Sequence, residues 1–296
     1  MKYQRTEGKQ MKNWKTIMVP TERGVFEVFS KGRGAPLCVS HLYSEFNETG
    51  DRFADMFTES HQVFLINLRE AGRSEKAHEP HQLSMSETVL DLEAVRDELG
   101  YPTWHFAGHS TGGMLGLVYG IRHSKSLESL IIASAAAREY ASSSPFCIYH
   151  PDHPKFENMQ SLIEQLKTNL SAEERNDISR ERAKLSLHEP GRHDEYFAGE
   201  VHKSMAARRM EFFSREILLF DVTRQLHKIS TRTLIACGQH DVQCPIGFSE
   251  EMAELIPDVQ LAAFDNSNHY PFLEEKKAFQ NVINKFYQHM TVGEDR

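Results

Sequence analysis

The chain has 296 residues, a length that suits one large domain or a domain that carries a sizeable insertion. Its hydrophobic content of 40% and charged content of 26% are ordinary for a soluble globular enzyme. The formal net charge is −8, so the chain lacks the excess of basic residues on which binding to a nucleic-acid backbone depends. We therefore expect a small-molecule substrate and no nucleic-acid partner.

The N-terminus and the cysteines predict where the protein works. Residues 1–15 contain no apolar stretch of the kind that a signal peptide needs, and no long apolar run in the chain would span a membrane. The four cysteines are scattered and form no C-x-x-C pair, which argues against a disulfide framework or a structural zinc site. We expect a cytoplasmic protein with no membrane partner, and the sequence leaves its oligomeric state open.

The first predicted elements are strands. Trp14–Pro20 and Val25–Ser30 alternate apolar and polar residues around a Glu-Arg-Gly turn, which predicts a β-hairpin. Pro36–Ser40 and Gln62–Asn67 are short continuous apolar runs, as expected for strands that are buried on both faces.

Helices and strands then alternate along the chain. Ser84-Met85-Ser86-Glu87 has the pattern of a capping box and begins a predicted helix that ends at Gly100. A predicted strand, Thr103–Ala107, is followed by an apolar helix through Gly113–Tyr119 and a buried strand over Leu127–Ala133. This alternation predicts an α/β fold, with a mainly parallel sheet that is flanked by helices.

The alternation stops near residue 137 and returns near residue 229. Residues 138–228 are polar and helical in pattern, whereas Thr231–Gly238 and Val259–Phe264 are again buried strands, and an amphipathic helix follows through Phe286. We predict a core domain from residues 14–137 and 229–290, a helical insertion over 138–228, and flexible tails at 1–13 and 291–296.

Gly108-His109-Ser110-Thr111-Gly112 fits the pattern G-x-S-x-G between a predicted strand and a predicted helix. A sharp turn at this junction forces the serine into a strained conformation, and small flanking residues let neighbouring backbone pass close by. The turn also aims the first N–H groups of the helix at a reacting carbonyl. Ser110 is therefore the predicted nucleophile.

A serine hydroxyl needs a base, and the base needs a third group to orient it. Asp241 follows one late strand and His269 follows the next, so both belong to the sheet edge that carries Ser110. The chain order Ser, Asp, His is the order that this arrangement requires. Asp265 is a weaker candidate for the acid, because it is so close in sequence to His269 that it would have to turn back towards it.

The oxyanion of an acyl-transfer intermediate needs two donors. The backbone N–H of Thr111 is the first, and the second is expected from the loop Ser40-His41-Leu42-Tyr43-Ser44. We favour the N–H of Tyr43, with that of Leu42 as the alternative. These residues predict a two-step acyl transfer that needs neither a cofactor nor a metal.

In these segments the chain resembles the α/β-hydrolase superfamily, and within it the proline-iminopeptidase-like bacterial branch. The matching segments are HLYS, INLREAGRS, GHSTGG, CGQHDVQCP and NSNHYPFLE. The resemblance implies a serine hydrolase of esterase or amidase type whose insertion is a lid over the nucleophile. This chain departs from the family where His41-Leu42 replaces the usual His-Gly, and where Asn67–Gly72 replaces the usual Asp-x-x-Gly-x-Gly loop.

The substrate stays open at this stage. A proline iminopeptidase would place lid acids against the free amine of its substrate, and Glu181 or Glu211 are the candidates here. A lid aromatic set either lines a pocket or forms the core of the lid; its members are Tyr140, Phe146, Tyr149, Phe212 and Phe213. Two further alternatives keep the fold, namely carbon–carbon bond hydrolysis, lyase or perhydrolase chemistry, and a ligand-sensing signalling protein with slow turnover.

Two other groups of residues attract attention. His150-Pro151-Asp152-His153 has residue types that ligate metals, but its two neighbouring prolines favour an ordinary polar loop. Cys244 lies three residues after Asp241, and we interpret it as a structural thiol.

Overall fold

The computed structural model describes residues 14–291, and its centre is an eight-stranded sheet with helices on both faces. The predicted N-terminal tail and residues 292–296 of the C-terminal tail lie outside the described residues, whereas Thr291 ends the last helix. The strands are β1 (Lys15–Thr21), β2 (Gly24–Gly32), β3 (Ala35–Val39), β4 (Ser44–Glu45), β5 (His61–Ile66), β6 (Trp104–His109), β7 (Leu127–Ala133), β8 (Ser204–Met205), β9 (Thr233–Gly238) and β10 (Val259–Phe264). The α-helices are α1 (Arg52–Asp55), α2 (Met85–Glu98), α3 (Thr111–His123), α4 (Phe156–Leu166), α5 (Ala172–Lys184), α6 (His193–Tyr196), α7 (Ala207–Glu216), α8 (Ile246–Leu255), α9 (Pro271–Glu274) and α10 (Lys276–Thr291).

The strand order confirms the mainly parallel sheet. In the large sheet the order is β1-β2-β5-β3-β6-β7-β9-β10, and the neighbours from β5 to β10 are all parallel. The predicted hairpin is present, because β1 pairs antiparallel with β2. The short strands β4 and β8 pair with each other outside this sheet.

Apolar side chains fill both faces of the sheet. One face packs against α2 and α3 through a cluster that includes Trp104, Phe106 and Leu117. The other face packs against α1 and α10 through a cluster that includes Phe53 and Phe279. Because each central strand is buried on both faces, its sequence is a continuous apolar run rather than an alternating one.

The predicted capping box at the start of α2 forms only in half. Ser84 Oγ accepts the N–H of Glu87, as predicted, but the Glu87 carboxylate does not accept the backbone N–H of Ser84. It instead pairs with Arg23 at 2.6 Å, in the turn between β1 and β2. A tertiary ion pair has therefore replaced the local reciprocal bond.

The segment between β7 and β9 differs from the rest of the chain. It contains α4, α5, α6 and α7, several short 3₁₀-helices and the two-residue strand β8. Within residues 14–291, no helix combines the length and apolarity that crossing a bilayer requires.

Candidate active site

Ser110 lies at the junction of β6 and α3, in the turn formed by residues 108–112. Its backbone has φ 56° and ψ −122°, a conformation that is uncommon for a residue with a side chain. The turn requires glycine on both sides, since a Cβ on Gly108 would lie 2.1 Å from the carbonyl oxygen of Gly112 and one on Gly112 would lie 2.3 Å from that of Ser40. The backbone N–H of Ser110 donates to Ala133 O at 2.9 Å, which anchors the strained turn to β7.

Asp241 and His269 are brought together at the carboxyl edge of the sheet. His269 Nδ1 lies 3.0 Å and 3.1 Å from the two carboxylate oxygens of Asp241, and both side chains are almost fully buried. A carboxylate can only accept, so the Nδ1–H donates and the basic Nε2 is left free. Asp241 Oδ1 also accepts the N–H groups of Gln243 and Cys244, each at 2.8 Å, which fixes the carboxylate. Asp265 is exposed and, within residues 14–291, forms no ion pair with His269.

His109, beside the nucleophile, connects the serine turn to the histidine loop. Its Nε2–H donates to the backbone carbonyl of His269 at 2.8 Å, and the two rings lie 4.7 Å apart. Burial, reinforced by the neighbouring His269, holds the pKa of His109 well below its ordinary value, so the ring is neutral. Among the described residues, the Ser110 hydroxyl makes no hydrogen bond to His269. Such catalytic bonds often form only when substrate closes the site.

The candidate oxyanion donors have no competing acceptors. Within residues 14–291, the backbone N–H groups of Thr111, Tyr43 and Leu42 donate to no protein atom. The structure therefore does not decide between the two loop residues. Carbonyl groups of the loop are held instead, because Tyr43 O accepts from Ala206 N at 2.9 Å and Leu42 O accepts from the buried guanidinium of Arg209.

His41 directly precedes Leu42, the residue that stands where the family usually has a glycine. Its Nε2 lies 3.1 Å from the Thr111 hydroxyl, and its ring packs edge-on against Tyr43 at 4.7 Å. Burial, with a smaller contribution from Lys203, lowers the pKa of His41 to about 3, so it is neutral at physiological pH. It braces the loop without adding charge to it.

The inserted segment contacts the acid and base loops directly. His269 N donates to Ser186 O at 3.2 Å, and Gln243 Nε2 donates to Ser186 Oγ at 2.9 Å. Tyr149 OH donates to Gln243 Oε1 at 2.8 Å. Residues 138–228 are thus bonded to the loops that carry Asp241 and His269.

The lid aromatic set does not act as one group. Phe213 and Tyr140 pack against the sheet core, whereas the side chain of Phe146 is 73% exposed. An open groove of about 1030 Å³ runs past Phe146 and Asp241, but neither Ser110 nor His269 lines it. We therefore do not assign substrate binding to that groove.

The two remaining candidates from the sequence, the segment from His150 to His153 and Cys244, have structural roles. His150 Nδ1 accepts the N–H of Asp152 at 3.2 Å and His153 Nδ1 accepts that of Lys155 at 3.1 Å, so both histidines hold turns. The described residues contain no cluster of three His, Cys, Asp or Glu that would hold a metal ion. Cys244 is buried, and its N–H supports Asp241 while burial raises the pKa of its thiol well above the ordinary value.

Sequence reasoning missed two residues that contact the loops of the site, namely His109 and Arg209. His109 occupies the variable position of the G-x-S-x-G pattern, and that position was the only signal available for it. Arg209 lies in α7, 167 positions along the chain from Leu42, whose carbonyl it binds. No local pattern marks such contacts.

Comparisons with known proteins agree with this architecture. The family model described as the alpha/beta hydrolase fold matches residues 40–276. An alpha/beta fold family hydrolase from Bacillus anthracis has a similar structure, with 40% identity, a TM-score of 0.89, and coverage of 93% of this chain and 99% of that one.

Two curated relatives show how far the likeness extends in function. The proposed carbamate hydrolase RutD of Caulobacter segnis is 24% identical over 78% of this chain and 83% of its own length. The proline iminopeptidase of Saccharolobus solfataricus is 24% identical over 79% of this chain and 78% of its own length. Relatives at the same distance thus carry the names of different activities.

Proposed function

The chain belongs to the α/β-hydrolase family, and from that premise we propose that it is a serine hydrolase that cleaves a small ester or amide through an acyl-enzyme on Ser110. The observation that carries the proposal is the buried Asp241–His269 pair beside a strained serine turn. A residue with φ 56° at a strand-to-helix junction is costly to hold, and such strain persists at sites of function.

The reaction has two steps. His269 Nε2 takes the proton of the Ser110 hydroxyl as Oγ attacks the substrate carbonyl carbon, and Asp241 stabilises the resulting imidazolium. The backbone N–H groups of Thr111 and Tyr43 donate to the oxyanion, after which the tetrahedral intermediate collapses and His269 returns the proton to the leaving group. A water molecule, deprotonated by His269, then attacks the acyl carbon, and His269 returns that proton to Ser110 Oγ as the acid is released.

We assign residues 138–228 as the lid of this enzyme. The bonds of Ser186 to His269 N and of Ser186 and Tyr149 to Gln243 support the assignment, because these residues belong to the loops of the proposed acid and base. A lid excludes water and contributes substrate contacts.

An ester or a simple amide fits better than a peptide with a free N-terminus. Of the two lid acids that are the candidates for binding an amine, Glu181 pairs with Lys184 at 2.6 Å and Glu211 pairs with Arg215 at 3.4 Å. Both carboxylates are exposed to solvent rather than turned to the site, and their side chains are 57% and 72% accessible.

The test is a panel of p-nitrophenyl esters with prolyl-naphthylamide, applied to the wild type and to Ser110→Ala. Loss of the nucleophile is expected to lower turnover by about 10⁶-fold, because the triad acts as a unit. Ser161→Ala, an exposed serine on α4, is the matched control and should retain full activity. Undiminished turnover in Ser110→Ala would reject the proposal, and a single stoichiometric event in the wild type would favour the ligand-sensing alternative.

A further inference from the structure

Arg182 is a cation of the lid whose Nε is buried and unpartnered. It lies near the end of α5, a helix that has no fully buried residue. Its Nε is nevertheless shielded from solvent and has no hydrogen-bond partner. A guanidinium N–H that is cut off from water without an acceptor costs free energy, so its retention calls for an explanation.

Three tyrosines lie near enough to the Arg182 guanidinium to affect its pKa. Burial alone would lower its pKa, but the neighbouring Tyr149, Tyr270 and Tyr43 raise that pKa above its ordinary value. The group therefore stays charged. Its neighbours are neutral hydroxyls, which leave the positive charge without a counterion.

Each of these tyrosines lies next to one member of the proposed triad. The ring of Tyr43 packs against His41 at 4.7 Å, and His41 Nε2 lies 3.1 Å from the hydroxyl of Thr111, the residue after the nucleophile. The ring of Tyr270 lies 5.2 Å from that of His269. The Tyr149 hydroxyl donates to Gln243 Oε1, and Gln243 N donates in turn to Asp241 at 2.8 Å.

Most other arginines of residues 138–228 have carboxylate or carbonyl partners, and Arg224, which has neither, is exposed to solvent. Arg180 pairs with Asp194, Arg192 with Glu189 and Glu195, Arg208 with Glu70, Arg215 with Glu211, and Arg209 donates to Leu42 O, Arg69 O and Thr88 Oγ1. Within residues 14–291, Arg182 has no ion-pair partner, and the acid beside it, Glu181, pairs with Lys184. Arg182 is thus left available for an anion.

We propose that Arg182 binds a carboxylate of the substrate, so that the enzyme acts on esters or amides that carry a free carboxylate group. The inference rests on the proposed function and names the substrate class of the same site. A planar guanidinium matches a carboxylate through two parallel hydrogen bonds, and its unpartnered Nε–H is one of the donors that this geometry uses.

The test compares two esters with the same leaving group, p-nitrophenyl butyrate and mono-p-nitrophenyl glutarate, which adds a terminal carboxylate. The readout is the ratio of kcat/KM for glutarate to that for butyrate. In Arg182→Gln this ratio should fall by about 10- to 100-fold relative to the wild type, because one charged hydrogen-bonded pair is lost. Arg182→Lys, which keeps the charge but not the fork, should give an intermediate ratio.

Arg180→Gln is the matched control. It removes a cation from the same helix, two residues away, but from an exposed pair with Asp194, so the ratio should stay at the wild-type value. A ratio that is the same in Arg182→Gln as in the wild type would overturn the carboxylate inference, while turnover that depends on Ser110 would leave the proposed function standing. An equal loss of kcat/KM on both esters would show that Arg182 only supports the lid, and that result would also overturn the carboxylate inference.

A binding measurement decides the question if neither ester is turned over. Calorimetric titration of Ser110→Ala with monomethyl glutarate and with methyl butyrate should show binding of the anionic ester alone. The additional change Arg182→Gln should weaken that binding at least tenfold, and Arg180→Gln should not. Equal affinity for the two esters, or equal affinity with and without Arg182, would contradict the inference.

Discussion

The sheet with its edge loops differs from the segment over residues 138–228 in how its side chains are held. In the sheet, the strand Leu127–Ala133 has six of its seven residues buried, and packing fixes each side chain. In α5, none of the residues is fully buried, and ion pairs such as Lys184–Glu181 lie at the surface. The proposed chemistry therefore depends on a rigid scaffold, whereas the proposed selectivity depends on single side chains of residues 138–228 that approach it.

The sharpest test of the scaffold is Asp241→Asn. The carboxylate orients His269 and stabilises its charged form, so kcat is expected to fall by about 10⁴-fold, as in other serine hydrolases that lose this group. Asp265→Asn is the matched control, since it removes an exposed acid four residues before His269. Steady-state kinetics on p-nitrophenyl butyrate measures both, and an equal loss in the two variants would point to a general disturbance of the loop.

The sheet could be predicted from the sequence because its signals are local. The strands Leu127–Ala133 and Val259–Phe264 have the predicted bounds, and Asp241 and His269 lie in contact as their positions after neighbouring strands require. Glu87 shows the limit of local prediction, because its carboxylate pairs with Arg23 instead of forming the second hydrogen bond of the capping box.

The contacts that residues 138–228 make with the rest of the chain could not be predicted in this way. The bond from Arg209 to Leu42 joins residues 167 positions apart, and neither end belongs to a periodic pattern that would announce it. The same holds for Arg182, whose neighbours come from the oxyanion loop, the lid entry and the loop after β10. Only the folded chain brings these groups together.

Arg209→Met tests an exception to the difference between the two regions, because this residue of the inserted segment is buried as deeply as a core residue. It is 3% exposed and donates to Leu42 O, Arg69 O and Thr88 Oγ1, so its loss leaves three buried acceptors unsatisfied. We expect the free energy of unfolding to fall by about 3 kcal/mol, measured by urea denaturation.

Arg208→Met is its control on the same helix. The side chain of Arg208 is 49% exposed and pairs with Glu70 at the surface, so the expected loss is below about 1 kcal/mol. Similar losses in the two variants would mean that α7 behaves as a surface helix throughout.

A smaller effect concerns buried histidines in the sheet. Burial, with His105 beside it, lowers the pKa of His61 to about 4, below its ordinary value in the unfolded chain. Between pH 6.5 and 4 the unfolded chain binds the proton more readily, so stability falls as the pH falls through that window. His61→Gln should flatten the dependence of the unfolding free energy on pH by up to about 1.4 kcal/mol per pH unit.

The control for that measurement is His78→Gln, which removes an exposed loop histidine instead of a buried one. Urea titrations at several pH values between 4 and 7 provide the comparison. A slope that is unchanged in His61→Gln would show that burial at this position does not govern acid stability.

Our claim that His269 activates Ser110 is tested by covalent labelling with a fluorophosphonate, followed by peptide mass spectrometry. The wild type is expected to carry one adduct, located on Ser110, and His269→Ala is expected to label far more slowly. An adduct on another residue, or equal labelling rates in the two proteins, would contradict the claim.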